Sequence, residues 1–361
     1  MLVPRLEIDL DKIAHNARAL MAICSSKGIA LTAVTKGVCG SPEIAHVLVK
    51  SGIDSIGDSH VANIHRMQQA GVDAKFMLVR SPQPSEAQEV VRLIDVSLDT
   101  EMALTGLLAD AAQRLHQVHS IILMVELGDL REGLLPDDLD AAVERVLAFD
   151  SLRLAGIGTN LACFGGIKPT KKKMEALSSL TERIEAKFGL SLQMVSGGNS
   201  ANFEWLQSSA SLGRVNHLRV GEAILLGRET TARSRIPGLW TDAFTLLAEV
   251  IEVKTKPSMP WGQRVQNALG HYPAFRDTGH MKRALVAIGR QDIEPDALQP
   301  QIAVRVLGAT SDHLVLDATG CDLQVGDQVR FGVGYSALLR AMISPYVEKV
   351  YLSTTRQSQN P

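Results

Sequence analysis

From Leu6 to Gln207 the chain alternates short apolar runs with stretches of helical periodicity. The apolar runs are LEIDL (6–10), LTAVTKG (31–37), IGDS (56–59), FMLVR (76–80), DVSLD (95–99), IILMVEL (121–127), LAGIGTN (154–160) and LQMVSGG (192–198). Between them lie a helix through about Lys27 with Asp11 at its cap, a second opened by Pro42, and helix-like segments at 60–70, 84–93, 100–116, 137–149, 170–188 and 200–208. Unbroken β–α alternation demands parallel strands, because each strand must cross back over a helix before the next begins. Eight such pairs predict a closed (β/α)8 TIM-type barrel. An open doubly wound sheet would place a glycine-rich turn after its first strand, and the turn here, DLDKI, has no glycine.

The pattern changes after Arg233. SRIPGLW (234–240) is a break, and strand-like runs follow at 244–257, 283–289, 302–308, 313–319 and 327–334. Helical periodicity returns at SALLRAM (336–342). The expected division is a barrel over 1–233 and a mostly β C-terminal domain over 234–361.

Composition narrows the function classes. A 45% hydrophobic and 21% charged chain of 361 residues has material for a substantial core. A net charge of −2 gives no steering toward nucleic acid or anionic membranes. No apolar stretch is long enough to span a bilayer, and the N-terminus lacks the basic and apolar regions of a secretory signal, so a cytoplasmic protein is expected. Cys24, Cys39, Cys163 and Cys321 form no CxxC pair, the histidines form no HExxH, and no metal is expected. His116 and His119 fall where a helix gives way to a strand, and Lys171, Lys172 and Lys173 read as a solvated helix start.

In a barrel the active site lies at the C-terminal ends of the strands. Lys36, Asp58, Arg80, Gly128, Asp129, Arg131, Asn160 and the run Ser196, Gly197, Gly198, Asn199, Ser200 all fall there. Lys36 stands out. A lysine walled by apolar groups has a lowered amine pKa and becomes a nucleophile toward aldehydes, hence a Schiff-base former. The alternative is a lysine that snorkels to the rim or pairs with an acid. In SGGNS, two glycines let backbone N–H groups approach an anion just before a helix, although a plain turn capped by Asn199 or Ser200 has the same spelling. A Schiff-base lysine and a phosphate nest on one rim suggest pyridoxal 5′-phosphate (PLP). Arg219, in HLRVGEAILLG, would then face the pyridine nitrogen and disfavour its protonation, which favours simple reprotonation of a carbanion over transamination. An ion pair with Glu222 is the competing use of that arginine.

PRLEIDLDKI, AVTKGVCG, ILMVELGDLREGLLP, GIGTNLACFGG, SGGNS, LRVGEAILLGRET, AIGRQD and TSDHLVLD together resemble the alanine racemase-like, fold-type III PLP enzymes, most of all the ornithine racemase branch of the amino-acid racemases. The resemblance spans nearly the whole chain. It implies an amino-acid racemase, working as a homodimer, on ornithine or another basic amino acid. It assigns Lys36 to the cofactor and to one of two catalytic bases. It places Arg131 near the lysine and the cofactor's phenolic oxygen. Ser200, the backbone near Gly221 and Tyr335 match phosphate contacts, and Arg219 matches the pyridine-nitrogen partner. Asn160 stands where alanine racemases carry a histidine, and the tyrosine usual shortly after the lysine is missing near Cys39.

The largest departure is at Arg290. There the family's GYADG-like turn supplies a tyrosine from the partner subunit as second base, and here the stretch is GRQDIEP. Arginine stays charged and is a poor proton carrier. Asp292, Cys163 or His313 could carry the second proton, Lys36 could act alone, or Arg290 could grip the substrate carboxylate as a fork; the carboxylate role ranks first. The distal ammonium of a basic substrate would want a carboxylate, for which Asp129, Asp58 and Asp292 are candidates. Two further PLP readings remain on the same scaffold: a decarboxylase, against which Arg219 speaks, and a non-catalytic PLP-binding homeostasis protein, against which the β domain speaks. A sugar-phosphate barrel is the reading without PLP.

Overall fold

A computed structural model describes residues 3–353. It has two compact units, one of residues 12–241 and one that combines the residues up to 11 with those from 242 onward. The expected boundary at 233 therefore shifts by a few residues, and the first strand changes sides.

That strand, β1 (Arg5–Asp9), alternates half-buried Arg5, Glu7 and Asp9 with buried Leu6 and Ile8. Period-two alternation suits a sheet with one wet face, whereas barrel strands are buried on both. The closed barrel consists of β2 (Ala30–Val34), β3 (Ser55–Asp58), β4 (Lys75–Leu78), β5 (Val96–Asp99), β6 (His119–Met124), β7 (Leu152–Gly158), β8 (Met194–Ser196) and β9 (His217–Val220). The eight-stranded parallel barrel is as expected, but HLRV closes it, not LEIDL. Leu31 pairs with Leu218 and Thr32 with Arg219 across the seam. Polar His217 and Arg219 disguise β9 as a loop, although all four of its residues are buried. Lys36 thus follows the first barrel strand, not the second.

Local chemistry sets the helices. Pro42 occupies the first turn of helix Pro42–Lys50, where Ser41 Oγ accepts the Ile44 N–H at 3.3 Å. Thr170 caps helix Lys171–Phe188, and Gly189, at φ 64°, ends it in the left-handed conformation. Helix Leu10–Ser25 starts ahead of the expected Asp11 cap, and the Asp9 carboxylate accepts the Asp11 N–H at 3.1 Å. Within the barrel, Val34, Met77, Val79, Leu98, Ile122, Met124 and Ala155 form a packed apolar layer.

The second unit is mostly β, as expected. Its strands are β10 (Phe244–Pro257), β11 (His280–Val286), β12 (Leu298–Pro300), β13 (Arg305–Ala309), β14 (Leu314–Asp317), β15 (Gln328–Val333) and β16 (Glu348–Leu352). They run in the order β12-β15-β10-β11-β14-β13, with β1 antiparallel to β10 and parallel to β16. Helix Tyr335–Ile343 begins after Gly334.

Candidate active site

Lys36 leaves β2 through Thr35 and opens a single 3-10 turn, Lys36–Val38. Cys39 ends that turn at φ 52° and Gly40 follows at φ 55°, where a Cβ would lie 2.6 Å from Asn63 Cβ. The turn is tied to the next strand, because Thr35 Oγ1 donates to Asp58 Oδ2 at 2.8 Å. The other Asp58 oxygen accepts the His60 N–H at 3.0 Å and Asn63 Nδ2 at 2.9 Å. Asp58 is therefore a buried clasp that fixes where Lys36 emerges.

The Lys36 amine is half-buried and has no hydrogen-bond or ion-pair partner among the described residues. Burial pulls its pKa below the ordinary lysine value; Cys163 and Asp58 oppose the shift, while the positive charges of Arg131 and Arg219 add to it. The same interactions place Lys36, Cys163, Arg131 and Arg219 in one electrostatic neighbourhood.

Arg219 lies within the barrel on β9. Its guanidinium donates to Thr159 O at 2.8 Å, to Asn160 Oδ1 at 3.5 Å and to Ser196 Oγ. Burial lowers its pKa to about 10, helped by Arg131 and opposed by Glu132, so it remains a cation near neutrality. Beneath it, Ser196 Oγ contacts His217 Nδ1 at 2.8 Å, His217 Nε2 contacts Thr32 Oγ1 at 2.9 Å, and Thr32 contacts Ser55 Oγ at 2.7 Å. Burial and then Arg219 push His217 down to about 3, so its ring is neutral and can accept one hydrogen bond and donate the other. Ser196 is thus a rest for Arg219.

After β8, the SGGNS run makes a 3-10 turn, Ser200–Asn202, and then the short helix Phe203–Ser208. Asn199 caps the turn by accepting the Ala201 N–H at 2.8 Å, while its Nδ2 donates to Asn160 Oδ1 at 3.0 Å and Leu161 O at 2.9 Å. Gly198 has φ 141°, and a Cβ there would collide with Asn202. Ser200 Oγ accepts the Ala223 N–H at 3.1 Å, which draws the turn after β8 against the turn after β9. Gly221 leads that second turn, where a Cβ would sit 3.1 Å from Val34 O. Asn199 and Asn160 thus brace the rim loops, and Ser200 and Gly221 form two adjoining backbone turns.

Other rim residues have structural partners. Arg80 donates to Ser59 O and, at 3.2 Å, to Glu86. Gly128 donates its N–H to Glu126, and a Cβ on it would come within 3.0 Å of Lys173 Nζ. Asp129 is buried and accepts the N–H groups of Phe164 at 2.8 Å, Cys163 at 3.2 Å and Ile167 at 3.2 Å. Burial alone would raise its pKa, but these donors outweigh it and hold the carboxylate ionised. Arg131, on the loop after β6, lies 3.0 Å from Glu132 Oε1. Glu132 Oε2 accepts the Ser81 N–H at 3.3 Å, whereas its Oε1 has no partner at hydrogen-bond angles among the described residues. Glu132, His217 and Asn202 were not singled out from sequence. His217 could have been, since it shares the Arg219 face of one strand at a spacing of two.

In the second unit, Arg290 Nη1 donates to Glu294 at 2.7 Å and Nη2 lies 4.0 Å from Asp296. The Asp292 carboxylate is buried and accepts Ser344 Oγ at 2.6 Å. His313 pairs with Asp312 at 3.1 Å. Tyr335 is half-buried at the start of its helix. All three carboxylates considered for a distal ammonium, Asp58, Asp129 and Asp292, are committed to their own neighbours. Of the three side chains considered for the second proton, Cys163 is the one in the barrel unit, and it acts on Lys36.

A parallel eight-stranded barrel with a lysine after its first strand, in a chain that also carries a mostly antiparallel β unit, is the architecture of the alanine racemases. The alanine racemase N-terminal domain model matches residues 8–229, and the chain belongs to that family. Its sequence is 41% identical to a lysine racemase of Thermotoga maritima and 35% identical to an ornithine racemase of Acetoanaerobium sticklandii, each covering 97% of this chain and 99% of the relative. The fold matches that of an alanine racemase from Bartonella henselae, solved with covalently bound pyridoxal phosphate, at a TM-score of 0.74 and 16% identity over 98% of this chain and 100% of that one.

Proposed function

We propose that this racemase acts on basic amino acids, lysine or ornithine before alanine, and that it uses PLP held at Lys36. The carrying observation is the Lys36 amine, unpartnered and shifted toward its neutral form at the rim of the barrel. The donor set fits the cofactor: a free primary amine for its aldehyde, a guanidinium for its ring nitrogen, and the adjoining turns at Ser200 and Gly221 for its phosphate. The curated relatives with full-length coverage are racemases of lysine and ornithine.

When bound, PLP supplies an electron-withdrawing ring that acidifies the Cα–H of an amino acid joined to it. Lys36 would take or return the Cα proton, because a lowered amine pKa leaves more of it neutral at working pH. Arg219 would donate to the ring nitrogen and keep its own proton, held in line by Ser196 and the neutral His217. Asn160 and Asn199 would fix the loops that flank it. Arg131 would balance negative charge beside Lys36. Glu132, whose Oε1 is ion-paired with Arg131 at 3.0 Å but accepts no hydrogen bond at good angles, is the rim carboxylate we assign to the distal ammonium, which would have to take the place of Arg131 there. The protein would work as a homodimer, read by light scattering of the purified chain.

Incubation with L-lysine and L-ornithine should yield the D forms on chiral chromatography, with exchange of the α-hydrogen into deuterated water. Borohydride should trap PLP on a peptide containing Lys36. Glu132→Gln should raise KM for lysine about ten-fold and leave alanine unaffected. Release of carbon dioxide, or the absence of α-hydrogen exchange with any basic amino acid, would overturn the reading.

A further inference from the structure

The opposite, N-terminal end of the barrel holds a cavity that this chemistry leaves unused. Its volume is about 740 Å³, and Lys75, Asp95, His119, Ser120, Arg153 and Gln193 are among the residues that line it. They come from the N-terminal ends of β4 to β8, where the barrel residues proposed for catalysis do not lie.

Two basic groups there, Lys75 and Arg153, are solvent-exposed and have no carboxylate partner among the described residues. Arg153 Nε and Nη2 both donate to Ser120 Oγ, at 3.1 and 2.7 Å. One edge of the guanidinium is thereby anchored, and no carboxylate pairs with it among the described residues. The Lys75 ammonium likewise has no partner among the described residues. Arg92, also in the lining, pairs with Glu89. The acidic residue in the lining is Asp95, and one of its oxygens already accepts the Phe76 N–H at 2.7 Å. His119 adds no charge at neutral pH, because burial pushes it down to about 4. The cavity therefore carries an excess of positive charge around an anchored fork.

The cavity wall also holds an acceptor without a donor. Gln68 lines the same cavity, and its Nε2 donates to Leu93 O at 2.7 Å. Its Oε1 is buried without a partner among the described residues. Gln68 Oε1 is sealed from the cavity, so the recognising groups are the cations, and a ligand would offer anionic oxygens to Lys75 and Arg153.

We propose that this cavity is an anion site, separate from the active site, for a small polyanion with phosphate or carboxylate groups. Hydrogen phosphate and citrate both have that chemistry and distinguish its two sources.

The test is calorimetric titration of the PLP-loaded enzyme with inorganic phosphate and, separately, citrate at constant ionic strength, with thermal unfolding in parallel. Loading with PLP first occupies the phosphate contacts of the cofactor site. At least one anion should bind saturably and raise Tm by several degrees at a hundred times its Kd. Lys75→Gln and Arg153→Gln should each weaken that binding at least ten-fold, with racemisation unchanged. Lys75 has no contact whose loss would unfold the chain, so its variant decides the matter if the arginine variant does not fold. Failure of both anions to bind saturably, or binding that both variants leave intact, would overturn the proposal.

Discussion

Two of the cations singled out from sequence, one in each unit, have different surroundings. Lys36, in the barrel unit, is half-buried without a partner among the described residues, and two neighbouring arginines make its charge less favourable still. Arg290, in the β unit, is met by Glu294 at 2.7 Å and approached by Asp296. A paired cation contributes to holding its own unit together. An unpaired one costs stability, and the cost is offset only when something binds it. The contrast separates a group poised for a ligand from one already occupied.

The largest expected effect tests the unpaired side. Lys36→Met should abolish racemisation, by at least ~10⁴-fold, because the cofactor attachment and a proton carrier are lost together. The same change should stabilise the cofactor-free protein at neutral pH. The sign follows from linkage: a lysine whose folded pKa lies below its unfolded value destabilises the fold while both states are protonated, and that cost fades as pH rises through the folded pKa toward 10.5. The gain in Tm at pH 7 should therefore shrink toward pH 10.5. A variant less stable than the parent at pH 7 would show that Lys36 has a structural partner and would erase the contrast.

A buried acid in the barrel wall gives the next effect. Burial raises the Asp99 carboxyl to about 7; the Ser97 hydroxyl, which donates to it at 2.7 Å, opposes the rise, and Glu132 adds to it. Its folded pKa exceeds the unfolded value, so its contribution is fully present below about pH 4 and is lost as pH rises through 7. Asp99→Asn keeps an acceptor for Ser97 and never ionises. It should match the parent in stability near pH 3, draw ahead of it from about pH 4 upward, and exceed it at pH 9 by at most ~4 kcal/mol. Equal pH dependence in the two proteins would remove Asp99 from the titration.

Much of this architecture was legible because it rests on periodicity. Seven of the eight barrel strands were marked by apolar runs, and the β unit was set apart by its turn-rich strands. The miss at β9 has a physical cause: His217 and Arg219 point polar groups into a barrel whose interior supplies their partners, and a sequence shows the groups without the partners. The error at β1 is the converse, since LEID is spelled like a strand but pairs with residues more than two hundred positions away. Site legibility divided the same way. Lys36 and SGGNS could be placed on the rim because each follows an apolar run, whereas Arg219 was marked without the strand that carries it. The roles of Asp58 and Asp129 were not, because a carboxylate available to a substrate and one clasped by backbone N–H groups have the same letter.

Asp129 turns that distinction into a smaller effect. Asp129→Ala removes the acceptor for three N–H groups of the loop after β7 and should cost ~1–3 kcal/mol. Amide exchange should quicken at Cys163, Phe164 and Ile167, while the ratio of activities on lysine and ornithine stays constant. A selective loss of activity on the basic substrates, with the loop still protected, would return Asp129 to the substrate-binding role.

The smallest effect concerns Arg290, where the paired side of the comparison is most exposed to refutation. To grip a substrate carboxylate as a fork, its guanidinium would first have to leave Glu294, and the Glu294 carboxylate would compete with the substrate for the same donors. Arg290→Gln should thus lower Tm by a degree or two and change KM less than three-fold, because a part-exposed ion pair contributes about 1 kcal/mol or less. Glu294→Gln separates the two roles further. If Arg290 only braces its unit, this second variant lowers Tm in the same way and leaves KM alone. If Arg290 is a carboxylate fork restrained by Glu294, releasing it should tighten substrate binding, and a fall in KM paired with a ten-fold rise in Arg290→Gln would move Arg290 from the paired side to the poised one.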